Sequence, residues 1–223
     1  MQKLLILNCT LAKAGIERLN NLFTSIFEKY DIDFEIFHLT DTIENINEFS
    51  HLIISGSALL ASQKNENDNK LYDLIRQFNN KRILGICYGH QILAKALMKK
   101  NVCRKSSTPE LSWRKVELVS NSIFEGISKP VFYESHLEEV FGLTDDFTII
   151  ASNSNCDIQG YQYRNLPIWG VQFHPEITFT FGQQSIKNKL ANYESMRRFF
   201  KNELDNPEYI EQNFKIFENF INH

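Results

Sequence analysis

Long apolar runs are absent from this sequence of 223 residues. Its most hydrophobic stretches, residues 4–7 and 51–54, have the length of a single β-strand and are far too short to cross a membrane. A signal-peptide pattern is also missing, because Met1-Gln2-Lys3 leads directly into the first of these stretches. We therefore expect a cytoplasmic protein that makes no contact with a membrane.

An excess of basic residues is missing as well. The chain has 24 Lys and Arg against 27 Asp and Glu, a net charge of −3, with both signs mixed along the sequence. Nucleic-acid-binding proteins usually show a basic face, so we expect no nucleic-acid partner. Hydrophobic residues make up 43% of the chain, which is enough for a folded core. No repeat or linker interrupts it, so residues 1–223 are interpreted as one domain.

Cysteine is scarce and widely spaced. The four cysteines are Cys9, Cys87, Cys103 and Cys156. They form no CxxC pair, which argues against a disulfide framework and against a zinc site. Glu134 and His136 are suitable metal ligands, but no third ligand accompanies them at a typical spacing, so no metal is predicted. A phosphate-binding G-x-x-x-x-G-K-[ST] loop is also missing, and no cofactor is predicted.

The first hundred residues alternate between strand-like and helix-like patterns. Strand-length apolar runs occur at residues 3–7, 34–37, 51–54 and 82–85. Between them, apolar residues recur at helical spacing over residues 16–30 and 71–78, and again over residues 89–99. This alternation predicts an α/β fold with an open, mostly parallel sheet and helices on both faces.

The rest of the chain follows two other patterns. Short strand candidates at residues 115–119, 131–133, 147–151, 159–163 and 168–173 are separated by turn signals. They predict a smaller, mostly antiparallel region of the sheet. From about residue 178 to residue 223 we expect a helical extension, in which Ile210, Phe214, Phe217 and Ile221 form one apolar stripe.

The most informative segment is residues 83–91, Ile-Leu-Gly-Ile-Cys-Tyr-Gly-His-Gln. It places Cys87 between a predicted strand and a predicted helix, with Gly85 and Gly89 two residues away on either side. This is the G-x-nucleophile-x-G pattern of a tight strand-to-helix turn. A thiol there lies at the N-terminus of the helix, whose amides favour the thiolate, and the N–H of Tyr88 is free to donate to an oxyanion. Cys87 is therefore predicted to be a nucleophile.

A second segment ends in His174-Pro175-Glu176. A cysteine nucleophile needs a base that also returns a proton to the leaving group, and a third group that orients the imidazole. At the end of a predicted strand, His174 is suited to be the base and Glu176 the orienting carboxylate. The small residues of the loop at Gly56 and Ser57 allow a backbone N–H of Ser57 to join that of Tyr88 in an oxyanion hole.

Residues 85–91 and 170–176, Gly-Ile-Cys-Tyr-Gly-His-Gln and Gly-Val-Gln-Phe-His-Pro-Glu, resemble the two catalytic segments of the class-I glutamine amidotransferases. The resemblance extends from the first strand to about residue 177 and implies a flavodoxin-like fold. It implies that Cys87, His174 and Glu176 form a triad that releases ammonia from the glutamine side chain through a γ-glutamyl thioester. Residues 122–126 and 151–157 look most like the glutaminase part of GMP synthases and their free-standing relatives.

The same resemblance implies a substrate site. Gln91 matches a position that helps to hold glutamine, and Ser135 and His136 resemble the segment whose backbone meets the substrate α-carboxylate. Gly56 lies in the loop whose backbone approaches the ligand. The family usually has Gly-Gly-Pro in this loop, whereas Gly56 is followed here by Ser57-Ala58. A positive φ at Ser57 would be costly and would weaken the oxyanion hole.

Three functions remain open. A glutaminase subunit would deliver ammonia to a separate ATP-dependent synthetase such as GMP synthase. The long segment after Glu176 is more like free-standing relatives that hydrolyse γ-glutamyl peptides or amides. A non-catalytic binding or regulatory protein is the third hypothesis. The altered loop at Ser57 favours this third hypothesis, and the complete Cys-His-Glu set argues against it.

Overall fold

The computed structural model describes residues 2–223, which form ten β-strands in two sheets. The strands are β1 (Lys3–Asn8), β2 (Asp33–His38), β3 (His51–Ile54), β4 (Arg82–Ile86), β5 (Cys103–Lys115), β6 (Glu117–Leu118), β7 (Val131–Val140), β8 (Phe147–Ser152), β9 (Gly160–Tyr163) and β10 (Ile168–Val171). Eight of them form the main sheet in the order β2-β1-β3-β4-β10-β9-β8-β6. The other two, β5 and β7, pair with each other in an antiparallel ribbon.

Five α-helices and four 3₁₀ segments complete the described chain. The helices are α1 (Lys13–Phe27), α2 (Asp68–Gln77), α3 (Tyr88–Met98), α4 (Phe179–Asn192) and α5 (Lys215–Asn222). The 3₁₀ segments are Ile46–Glu48, Ser122–Phe124, Glu194–Phe199 and Pro207–Phe214. Within residues 2–223, no helix has both the length and the hydropathy needed to cross a membrane.

The parallel half of the main sheet is covered on both faces. Leu4 and Ile6 of β1 pack in one apolar cluster with α1, and Leu5 and Leu7 pack in a second cluster with α2 and α3. Successive residues of a strand point to opposite faces, so a strand covered on both sides must be apolar throughout. The predicted α/β fold, with a mostly parallel sheet and helices on both faces, is confirmed.

The position of β10 differs from its prediction. The sequence pattern assigns residues 168–173 to the antiparallel region, but β10 pairs in parallel with β4 and antiparallel with β9. It is therefore the junction between the two parts of the sheet. Val171 is paired with Ile86, so β4 and β10 end side by side at the same edge. Ligand sites of open α/β sheets lie at such carboxyl ends.

The β5–β7 ribbon was predicted only at its margins, residues 115–119 and 131–133. The structure shows a strand of 13 residues paired with one of 10. Its buried side chains include the charged or polar residues Glu110, Arg114, Glu134 and His136. A search for apolar runs cannot detect a strand whose inward positions are polar.

The C-terminal segment packs into the main core. Ile210, Phe217 and Ile221 of the predicted stripe are buried, and Phe214 is half-buried. The ring of Phe217 contacts that of Phe27 from α1 edge-on, with centroids 5.5 Å apart. Part of the segment is 3₁₀ rather than α-helix.

Candidate active site

Cys87 lies at the corner between β4 and α3. Its backbone has φ 51° and ψ −104°, a strained conformation for a residue with a side chain. Gly89 lies against the end of the neighbouring strand β3, where a Cβ would overlap the carbonyl oxygen of Ile54, so this position of the turn has no room for a side chain. The sulfur is therefore held at the first residues of α3, where helix amides favour negative charge.

His174 follows β10 and is fixed from two sides. Its backbone N–H donates to the carbonyl of Tyr133 at 2.9 Å, and its Nδ1 lies 2.7 Å from Oε1 of the buried Glu176. Burial lowers the pKa of His174, but the charges of Glu176 and Cys87 outweigh this effect and raise the pKa well above 6.5. Because Nδ1 faces the carboxylate, Nε2 is the ring nitrogen left for the thiol and a substrate.

Gly56 leaves room for His174 beside Cys87. A Cβ on Gly56 would lie 2.8 Å from Cε1 of His174 and 3.5 Å from Cβ of Cys87. The first distance is shorter than van der Waals contact permits, so a side chain here would displace the imidazole. The structure thus brings together Cys87, His174 and Glu176, with Gly56 against two of them.

Two backbone donors have no acceptor among residues 2–223. They are the N–H groups of Tyr88, the first residue of α3, and of Ser57, in the loop after β3. Ser57 does not adopt a positive φ, so its side chain causes no backbone strain of that kind. Its hydroxyl donates to the carbonyl of Cys9 at 2.6 Å, which ties the loop to the end of β1.

A cavity of about 660 Å³ opens beside the thiol. All four residues predicted to bind substrate line it: Gly56, Gln91, Ser135 and His136. Two of them already use polar atoms within the protein. The amide nitrogen of Gln91 donates to the carbonyl of Glu138 at 3.0 Å and to Gln172 at 2.9 Å, and both ring nitrogens of His136 have protein partners. Because both ring nitrogens of His136 are occupied, a ligand would bind to the backbone around His136 rather than to its ring.

The outer wall of the cavity comes from α4 and the residues that follow it. Phe181, Ser185, Lys189, Tyr193 and Met196 line this wall. Lys189 donates from Nζ to Oγ of Ser135. Burial lowers the pKa of Lys189, and the charge of Cys87 acts in the opposite direction. The sequence prediction missed this lysine, because it belongs to no motif and reaches the site only through the packing of α4.

A buried polar cluster lies behind the cavity. One potential ligand atom from each of Glu110, Glu134 and His136 lies within 4.8 Å of the others, close enough to converge on one ion. In the sequence only Glu134 and His136 stand close together, because Glu110 lies on the neighbouring strand of the ribbon. Glu110 and His136 bond to each other at 3.1 Å, whereas neither carboxylate oxygen of Glu134 has a hydrogen-bond partner among residues 2–223.

The other three cysteines differ from Cys87 in their surroundings. Cys9, Cys103 and Cys156 are buried, and none of them lines the cavity, whereas Cys87 does. Burial raises the pKa of Cys9 and of Cys103 to about 12, and that of Cys156 also rises. Thiols that hold their protons so strongly are poor nucleophiles.

Comparison with known proteins gives one consistent family. Residues 17–192 match the family model of class-I glutamine amidotransferases. The chain is 31% identical over 172 residues to a subunit of the glutamine-hydrolyzing GMP synthase of Methanopyrus kandleri, covering 75% of this chain and 89% of that protein. For the same subunit of Pyrococcus abyssi the identity is 33% over 162 residues, covering 70% and 84%. A glutamine amidotransferase structure from Thermotoga maritima shares the fold, with a TM-score of 0.75, 18% identity and coverage of 100% of this chain and 99% of that chain.

Proposed function

Because the chain belongs to the class-I glutamine amidotransferase family, we propose that it hydrolyses the side-chain amide of glutamine or a related γ-glutamyl compound. In this proposal Cys87 is the nucleophile, His174 the base and acid, and Glu176 the group that orients the imidazole. The observation that carries it is the strained backbone of Cys87 next to His174, whose Nδ1 lies 2.7 Å from Glu176.

The reaction proceeds by acyl transfer. The thiolate of Cys87 attacks the γ-carbonyl carbon, and His174 protonates the leaving nitrogen as the C–N bond breaks, which releases ammonia. A γ-glutamyl thioester remains on the sulfur. Water then attacks it while His174 accepts a proton, and the C–S bond breaks to give glutamate and free thiol. The raised pKa of His174 supports a thiolate–imidazolium pair as the starting state.

The backbone N–H groups of Tyr88 and Ser57 are suited to stabilise the oxyanion of both tetrahedral intermediates. Both lack an acceptor within residues 2–223; Tyr88 follows Cys87 directly, and Ser57 lines the same cavity as Cys87. Preorganised donors of this kind contribute about 10²–10³ in rate for a single donor.

The curated relatives suggest one fate for the ammonia. Those relatives are subunits of glutamine-hydrolyzing GMP synthases. By analogy, this chain would pass ammonia to a separate synthetase subunit that carries the ATP-dependent chemistry.

A free-standing γ-glutamyl amide or peptide hydrolase is the second candidate. The cavity of about 660 Å³ lies in the size range of sites that hold drug-sized ligands, larger than glutamine. Leu11, Leu19, Leu59 and Met196 give part of it an apolar lining. Such a lining suits a larger group attached to the γ-carbonyl.

The first experiment treats the purified protein with an electrophilic diazo-ketone analogue of glutamine and locates the adduct by mass spectrometry. We expect one adduct, at Cys87, in the wild type and in Cys103→Ala, and none in Cys87→Ala. A wild-type protein that reacts no faster than Cys87→Ala would refute the proposed hydrolase and favour a non-catalytic relative.

The second experiment separates the two enzymatic candidates. Steady-state release of ammonia is measured from glutamine, and cleavage of a γ-glutamyl dipeptide is measured alongside it, with no partner present. A subunit that depends on a synthetase is expected to be nearly silent with both. An independent hydrolase turns over, and a larger kcat/KM for the dipeptide identifies the second candidate.

A further inference from the structure

Lys189 is a cation in the candidate site that has no acidic partner there. Among residues 2–223 no carboxylate forms an ion pair with its Nζ, whose protein acceptor is the hydroxyl of Ser135. Both residues line the cavity together with Cys87. Burying a charged group without a counter-ion costs free energy. The presence of the Lys189 ammonium group at a ligand cavity therefore needs an explanation.

The acids that line the cavity are already engaged. Glu176 bonds to Nδ1 of His174, and Glu138 accepts hydrogen bonds from the backbone N–H and the hydroxyl of Ser62. Neither forms an ion pair with Lys189, and the thiolate of Cys87, whose charge also acts on Lys189, has the imidazolium of His174 as its partner in the proposed starting state. The counter-charge is therefore expected from the ligand, and an anionic group of the ligand is the chemistry that Lys189 recognises.

Glutamine carries one such anion, its α-carboxylate, at the far end of the side chain from the reacting amide, and every γ-glutamyl compound carries the same group. We propose that Lys189 binds this α-carboxylate and is a specificity-determining residue of the site. The inference rests on the proposed function.

Ser135 completes the arrangement. Because its oxygen accepts from Lys189, its own hydroxyl proton is free to be donated to the same carboxylate. The cation and the hydroxyl then form two donors side by side, one from α4 and one from β7. Holding the charged end of the substrate fixes the position of the amide relative to the thiol.

The test uses two substrates that differ only at the α-carboxylate: L-glutamine and its α-amide, in which the carboxylate is an uncharged amide. The readout is the ratio of the two kcat/KM values. Where glutamine turnover is too slow alone, the ratio of inactivation rates by the diazo-ketone analogue and by its α-amide replaces it.

We expect the wild type to prefer the carboxylate form, and Lys189→Met to reduce that preference about 10- to 100-fold, mainly through a higher KM for glutamine. Its kcat/KM for the α-amide should change little. Lys189→Arg should recover part of the preference, because it restores the charge. Lys187→Met, on the exposed side of the same helix, is the matched control and should behave like the wild type.

Two results would overturn the assignment. Lys189→Met with an unchanged preference shows that the lysine does not contact the carboxylate. Equal losses of kcat/KM on both substrates, with a lowered melting temperature, show that the bond from Lys189 to Ser135 only anchors α4. Should Lys189→Met not fold, Lys189→Gln is used for the same test. A wild type that does not react with either analogue refutes the proposed hydrolase itself, which is a different outcome.

Discussion

At the scale of single residues, the site depends on space as much as on functional groups. Gly56 contributes no side chain, and this absence is what allows His174 to lie next to Cys87. The glycine is not needed for a positive φ at its own position, since it does not adopt one. Its role is to permit the close approach of a loop to the imidazole.

Gly56→Ala should therefore damage activity more than stability. The added Cβ would lie 2.8 Å from Cε1 of His174, so the ring or the loop must shift. A displacement of about 1 Å in such a site costs about 10²-fold in kcat. The measurement is ammonia release or analogue trapping, combined with thermal denaturation.

Gly142→Ala is the control, and it should have the opposite outcome. Gly142 has φ +61°, and no atom lies within 4 Å of the new Cβ. The substitution should therefore cost about 1 kcal/mol of stability, because of the positive φ, and leave activity unchanged. Full activity in Gly56→Ala would contradict the argument.

Glu134 gives a second prediction at this scale. Burial, and then the charge of Glu110, raises the pKa of Glu134 well above its ordinary 4.5. Between the pKa values of the unfolded and folded states the folded protein binds more protons, so the free energy of unfolding falls as pH rises. Glu134→Gln removes this titration. At about pH 8 the variant should be more stable than the wild type, and the gain should disappear below about pH 4, where the carboxyl group is protonated in both the folded and the unfolded state.

Urea denaturation as a function of pH measures this effect. Glu139→Gln is the matched control on the same strand, because the carboxylate of Glu139 accepts hydrogen bonds from Arg104 and Ser106. That variant should lose stability at pH 8. A Glu134→Gln protein that is less stable than the wild type at pH 8 would show that the carboxylate has a favourable partner.

The residues of the candidate site divide into those that the sequence reveals and those that it does not. Cys87, His174 and Glu176 lie in two short motifs, so local patterns were sufficient to identify them. The parallel pairing of β4 with β10, which brings the two motifs together, was not predicted. Lys189 and Glu110 belong to no motif. Their proximity to the site arises from the packing of α4 and from the pairing of the ribbon, which residue spacing does not encode.

At the scale of elements, the main-sheet strands of the first hundred residues were predicted almost to their ends, because an apolar run covered on both faces has few alternatives. β5 was not predicted, because its inward positions carry polar groups that bond to one another. The carboxylate of Glu110, for example, accepts hydrogen bonds from the side chains of Asn153 and Gln159. The ribbon is stabilised by hydrogen bonds to residues that are distant in sequence, and the periodicity of the sequence does not reveal such bonds.

The helix that carries Lys189 starts with a side-chain cap. Oγ1 of Thr178 accepts from the N–H of Phe181 at 3.3 Å. Thr178→Ala removes this cap and should lower the free energy of unfolding by about 1 kcal/mol, whereas Thr178→Ser should retain most of it. Chemical denaturation gives the difference. Equal stability of the alanine and serine variants would show that the contacts of α4 with the core, and not its cap, hold the helix in place.

At the scale of the whole molecule, the segment beyond the family match is part of the core. The match ends at residue 192, yet α5 and the 3₁₀ segment before it bury Ile210, Ile216, Phe217 and Phe220. These side chains share one cluster with the strands and with α1. The same segment begins next to the cavity wall, so the C-terminal part of the chain contributes both to the core and to the site.

This arrangement makes a prediction for the tail. Phe217 is 0% exposed and packs between Phe23 and Phe27 of α1, so Phe217→Ala should cost about 3–5 kcal/mol through lost burial and the cavity that remains. Phe200 is the matched control, since it lies in the same tail but is 42% exposed, and Phe200→Ala should cost far less. Denaturant midpoints compare the two. Were both variants equally stable, the tail would be an appendage to a core that ends with the family match. A large difference instead means that the cavity wall formed by α4 and the residues after it is held by the same core as β4 and β10.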